Sequence, residues 1–124
     1  ALAVFNGVNR CVGQFFGSYD LLVTPNNLTP APLIEEYYRC DPAGPITAED
    51  WQAQVFENDS YLATFNTTGS PAISLPVFET NDGIPVGVQF ASRFGDEATL
   101  IRLAAFFERA MPWAGRTPPV HVSN

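Results

Sequence analysis

Two apolar segments with a turn between them constrain this chain most. "PAISLPVF", Pro71 to Phe78, and "IPVGVQFAS", Ile84 to Ser92, have the length and the aliphatic and aromatic content of strands. Between them Asp82-Gly83 is a strong hairpin signal, so the two segments pair antiparallel. Pro76 and Pro85 have no N–H to give to a ladder, so each belongs where no bond is needed. In the second strand Val86, Val88 and Phe90 point to one face. Gly87, Gln89 and Ala91 point to the other, which is small and lets something pack closely on it.

From Gly95 the pattern changes from strand to helix. Asp96 stands at the cap position, Glu97 complements the helix dipole, and Leu100, Leu103, Ala104 and Phe107 form one apolar stripe. Hairpin and helix Asp96 to Ala110 together predict the best-ordered part of the chain. In it Ile73, Leu75, Val77, Val86, Val88 and Phe90 are partly buried beneath the helix.

Upstream, Leu2, Val4, Phe5, Val8, Val12, Phe15 and Phe16 fall near the helical period, weakened by Gly7 and Gly13 and stopped at Gly17. "YDLLVTP", Tyr19 to Pro25, holds a continuous apolar run, which predicts a strand buried on both faces. The stretch "NNLTPAPLIEEYYRCDPAGP" is broken repeatedly by proline, yet its Leu, Ile and Tyr content predicts that it lies packed on a surface. Thr47 with Asp50 approximates a capping box and opens a helix through Trp51, Val55 and Phe56. A break or restart is expected at Asn58, Asp59 and Ser60, and Gly69 ends the element after Leu62, Ala63 and Phe65. The order helix, strand, helix, strand, strand, helix is an α/β or α+β layer arrangement, read here as α/β with about three strands and flanking helices. A chain of 124 residues holds one domain or less.

Composition excludes several functions. The net charge is −7, and the six basic residues are all Arg and scattered, so no basic face can neutralise phosphates and nucleic-acid binding is disfavoured. Without Lys, no lysine base or Schiff base can be completed inside the chain. No apolar run reaches the ~20 residues of a membrane span. "ALAVFNGVNR" has no basic region before its apolar part, so it does not read as a secretion signal, and the expected location is cytoplasmic. Cys11 and Cys40 match no zinc spacing. A disulfide between them is open, but buried free thiols suit a cytoplasmic chain better. His121, in "TPPVHVSN", reads as a solvated terminal residue, and nothing orients a Cys11–His121 pair for hydrolysis. No metal or cofactor is expected.

Three segments together resemble the C-terminal part of the amidase signature family of amide hydrolases. They are "YDLLVTP", "FNTTGSPAISLPV" and "GIPVGVQFASRFGDEATLIRLAAFFE", in that order, with Pro112-Trp113 closing the set. The resemblance covers nearly the whole chain and implies a fragment of a larger mixed β-sheet. It implies a parent that cleaves a carboxamide C–N bond with a Ser nucleophile, a second Ser in a cis peptide, and a Lys base, all in the N-terminal half. Ser is weak until a base takes its proton, and an oxyanion hole must hold the tetrahedral intermediate. This sequence has no Lys, no Gly-Gly-Ser-Ser run and no serine pair, so no catalytic residue carries over.

Three positions carry over as substrate-binding candidates, each beside a plainer structural role. In the glutamine-using branch an acid aligned with Asp59 helps to hold the substrate's amino group; Asp59 equally suits a helix cap. Thr68, with Thr67 and Ser70, would line a pocket or satisfy the helix end. Phe65 would be a pocket wall or core. The resemblance therefore implies that residues 1–124 are a C-terminal segment of an amidase domain, inactive alone, whose full enzyme takes a small-molecule amide. The alternative is a stand-alone binding or structural module. An unpaired sheet edge in such a segment predicts self-association.

Overall fold

In the computed structural model, residues 2–33, 47–58, 61–118, 120 and 122 are described. They form α1 (Leu2–Phe15), β1 (Leu22–Pro25), α2 (Ala48–Asn58), α3 (Leu62–Thr68), β2 (Ala72–Glu79), β3 (Pro85–Ala91) and α4 (Glu97–Ala110). The strands make one sheet in the order β1-β3-β2, and both pairings are antiparallel.

The hairpin β2–β3 forms as its sequence requires, but its turn is longer than a two-residue Asp-Gly link. Thr80 N–H donates to the Ile84 carbonyl, and Gly83 N–H donates to the Thr80 carbonyl, both at 2.9 Å. Asn81, Asp82 and Gly83 are thus the loop, and only Gly83, at φ 80°, takes the left-handed conformation. Both prolines sit where no donor is missed. Pro85 opens β3. Pro76 lies in β2, the outer strand, where the register slips between Leu75↔Val88 and Phe78↔Val86. Pro76 and Val77 there oppose the single Gly87, a bulge.

One sheet face packs under α4. Leu75, Val77, Phe90 and Leu100 are its buried centre, joined by Ile73, Val88, Leu103, Ala104, Phe107 and Trp113. Phe90 and Phe107 meet at 5.2 Å between ring centroids. Val86, expected in this group, is half-buried and outside it, because the bulge ends the regular alternation before that pair. Beyond α4 the chain folds back. Arg116 Nη1 donates to the Pro76 carbonyl at 2.9 Å, and its Nε lies 2.9 Å from Glu79 Oε1.

The other face is covered at one end by α1 and α3, through Phe16, Phe65 and Ala91 with Val12, Phe15 and Leu22. Only the C-terminal part of α1 packs. Leu2, Val4 and Phe5 are exposed, so the apolar spacing marks a face of which half lacks cover among the described residues. Strand β1 corrects the expectation of burial on both faces. It is short, pairs with β3 alone among the described residues, and leaves Val23 55% exposed. Cys11 is a free thiol and exposed, contrary to the expected burial; Cys40 and His121 lie outside the described residues.

The caps differ in detail from expectation. Thr47 Oγ1 accepts from Asp50 N–H at 3.1 Å and donates to Asp50 Oδ2 at 2.8 Å, half of a capping box. Asp96 makes no side-chain bond to the helix backbone. Its carboxylate instead accepts from Thr99 Oγ1 at 2.9 Å and pairs with Arg93 Nε at 3.3 Å. Helix α2 ends at Asn58 and α3 begins at Leu62; Asp59 and Ser60, at the expected break, lie outside the described residues.

Candidate functional site

Two tight turns meet at the end of the hairpin where β2 begins and β3 ends. Helix α3 stops at Gly69, whose φ of 68° lets its N–H reach back to the Phe65 carbonyl at 2.9 Å. The chain then enters β2. After β3, Ser92 N–H donates to the Pro71 carbonyl at 3.1 Å and Ser92 Oγ donates to the Asp96 carbonyl at 2.9 Å. Gly95, at φ 77°, completes the turn into α4. The segments "TTGSP" and "SRFG" are thereby held together, and a Cβ on Gly69 would lie 3.7 Å from Phe94 Cε2.

Between these turns and α1 lies a cleft of about 370 Å³. Val12 and Phe16 form its helical wall, Thr68 and Ser70 supply hydroxyls, and Arg93 and Phe94 form the far side. Phe94 is 80% exposed, so an aromatic ring stands at the cleft without burying itself. Arg93 is paired with Asp96, but most of its side chain is open to solvent. The cleft offers an apolar wall, one cation and two hydroxyls, a lining suited to orienting a small molecule.

The sequence candidates are placed as follows. Thr68 lines the cleft, and its Oγ1 accepts from Ser70 N–H at a long 3.4 Å. Thr67 turns away and donates to the Ala63 carbonyl at 2.9 Å. Phe65 is 5% exposed and packs with Phe16 and Ala91, directly behind the cleft. Asp59 lies outside the described residues. Arg93 and Phe94 were not singled out from sequence. The signal available was the pair of glycines, Gly69 and Gly95, that turn both segments toward one place.

The described lining of the cleft brings no nucleophile and base together. Among the described residues no group of three or more His, Cys, Asp and Glu could hold a metal ion. Ser92 is fully buried, with its hydroxyl donated to the Asp96 carbonyl. No described helix is long and apolar enough to cross a membrane.

Comparison with known proteins accounts for this arrangement. The family model described as Amidase matches residues 3–101. The chain belongs to the amidase family. Among the relatives, the putative amidase AmiC of Mycobacterium leprae is 40% identical over 111 residues, which is 86% of this chain and 22% of that protein. The 6-aminohexanoate-cyclic-dimer hydrolase of Paenarthrobacter ureafaciens is 44% identical over 59 residues, 48% of this chain and 12% of that enzyme. The solved structure of a 6-aminohexanoate cyclic dimer hydrolase complexed with substrate superposes with a TM-score of 0.70 at 30% identity. That superposition takes in 93% of this chain and 24% of the hydrolase. The chain thus spans about a fifth of the length of the amidases it matches over most of its own length. Its three-stranded sheet and helices are amidase fold.

Proposed function

We propose that residues 1–124 are a C-terminal segment of a cytoplasmic amidase that hydrolyses a carboxamide C–N bond of a small molecule, and that the segment is inactive alone. What supports this reading is the breadth of the family match, which runs through residues 3–101, beside the lack of any Lys. In the full enzyme a Ser nucleophile, a second Ser and a Lys base come from the larger remainder. A base must take the serine proton and a donor pair must meet the oxyanion; neither group is offered by the cleft.

The segment's role in this reading is to shape the substrate site. Thr68 offers a hydroxyl to the bound amide, Phe65 backs the apolar wall, and Asp59 holds a substrate amino group. No nucleic acid takes part. The remainder of the enzyme covers the exposed half of α1 and the edge of β1 that is open among the described residues; without it, the segment self-associates through those surfaces.

Amide hydrolysis tests the reading. The 124-residue chain alone stays at background against simple aryl and alkyl amides. The full-length protein carrying this segment turns them over, and Thr68→Val in it raises KM more than it lowers kcat. Turnover that co-purifies with the 124-residue mass would overturn the proposal.

A further inference from the structure

The cleft beside α1 carries a cation whose counter-charge stands outside it. Arg93 lines the cleft, and its Nε lies 3.3 Å from Asp96 Oδ2. Asp96 is not part of the lining and is tied to the first turn of α4, where its Oδ1 accepts from Thr99 Oγ1 at 2.9 Å. The Arg93 side chain is 69% exposed, and neither Nη has a hydrogen-bond acceptor among the described residues. Arg116 is the contrast: its Nη1 donates to the Pro76 carbonyl and its Nε meets Glu79, so its fork is occupied in fastening the chain. Arg93 is held at its base and open at its tip. Ser92 fixes the backbone beside it, with its N–H donated to the Pro71 carbonyl and its hydroxyl to the Asp96 carbonyl. An arginine so anchored loses less freedom on meeting a ligand than a free one does.

The rest of the lining narrows what could meet that fork. Asn9, Thr68 and Ser70 supply polar groups, and Val12, Phe16 and the exposed Phe94 ring supply apolar surface. No Asp or Glu lines the cleft among the described residues. A single planar guanidinium matches one carboxylate, two N–H groups to two oxygens, whereas a phosphate would keep much of its charge unmatched there. The apolar wall suits a short methylene chain behind that carboxylate.

We propose that Arg93 is a specificity-determining residue, and that the cleft receives the far end of an amide substrate whose acyl chain ends in a carboxylate. The carboxylate takes the Arg93 fork, the methylenes lie along Val12, Phe16 and Phe94, and the carboxamide faces the remainder of the enzyme. That the substrate is an amide rests on the amidase reading; that it carries a carboxylate rests on Arg93 and the cleft wall.

The test is hydrolysis by the full-length protein that carries this segment, with amides paired by carbon number: succinamate with butyramide, glutaramate with valeramide, adipamate with hexanamide. In at least one pair kcat/KM is expected to be about tenfold higher for the carboxylate-bearing amide, mainly through KM, as one charge-assisted contact at an exposed site provides. Added salt narrows the preference, because the contact is exposed. Arg93→Ala removes the preference, Arg93→Lys restores part of it, and Arg93→Glu reverses it. A merely structural Arg93 would instead lower both members of a pair alike. Equal kcat/KM within every pair, or a preference that survives Arg93→Ala, would overturn the proposal and leave the amidase function standing. Should the full-length protein hydrolyse no amide, that function falls and calorimetry with glutarate decides the cleft. Binding that Arg93→Ala weakens about tenfold would uphold the carboxylate site, and no binding, or binding indifferent to Arg93, would overturn it.

Discussion

Asn26 lies across Gly87. A Cβ built on Gly87 would stand 3.0 Å from Asn26 Cγ and 3.2 Å from Ser74 Oγ, so the missing side chain is what lets the Asn26 amide reach from β1 over β3 to β2. Gln89, 5% exposed, makes a parallel link by donating from Nε2 to Thr24 Oγ1 at 3.0 Å.

Gly87→Ala must displace the Asn26 amide and lose its bond to Ser74. The lost bond costs about 1 kcal/mol, partly offset because Ala restricts the unfolded chain. In an Asn26→Ala background the same change meets less obstruction and is neutral or stabilising. Urea denaturation of the two singles and the double gives the coupling. Additive effects would mean that Asn26 does not rest on Gly87 in solution.

Leu100→Ala costs about 2–5 kcal/mol, since Leu100 is 3% exposed at the centre of the cluster under α4. Leu103→Ala, at a half-buried position of the same stripe, costs less. Thermal or urea unfolding ranks the pair, and a Leu100→Ala cost below about 0.5 kcal/mol would place that stripe in solvent.

Gly69→Ala forces an L side chain to φ 68°, which costs about 1–2 kcal/mol. The space itself is adequate, because the nearest atom, Phe94 Cε2, is at ordinary contact distance. The penalty is therefore conformational. Gly69→Asn, which tolerates that backbone, recovers part of it, and a melting-temperature comparison of the two checks the sign.

Sedimentation of the 124-residue chain across a dilution series is expected to show a concentration-dependent oligomer. Leu2 and Val4 are 80% and 67% exposed on α1, and β1 has one open side among the described residues. A single monomer mass at every concentration, with no hydrophobic dye bound, would show that the chain closes its own core.

The hairpin and α4 were legible because period-two and 3.6-residue patterns adjoin, with Gly83 and Gly95 between them marking the turns. Pro76 announced an outer position but not the bulge, which depends on register against a partner strand. Leu21 to Val23 announced a strand but not its exposure, because apolar content shows preference for burial, not the presence of cover. The same limit applies to α1. At the site, Thr68 and Gly69 were visible through cap chemistry, whereas Arg93 and Phe94 required knowing that two turns converge. Asn26 was invisible as a polar loop residue, although the small residue inside β3 did signal that something packs closely there.

Arg116 gives the sheet a direction of growth. Its guanidinium occupies the Pro76 carbonyl on the outer side of β2, and Pro76 itself has no N–H, so β2 presents a blunted margin to any incoming strand. Among the described residues β1 is the freer margin, so strand addition is expected to pair β1 of one copy with β1 of the other. Such a two-fold contact uses the freer margin of each copy and closes on itself. Growth through these strands ends at a pair and does not run on into a fibre.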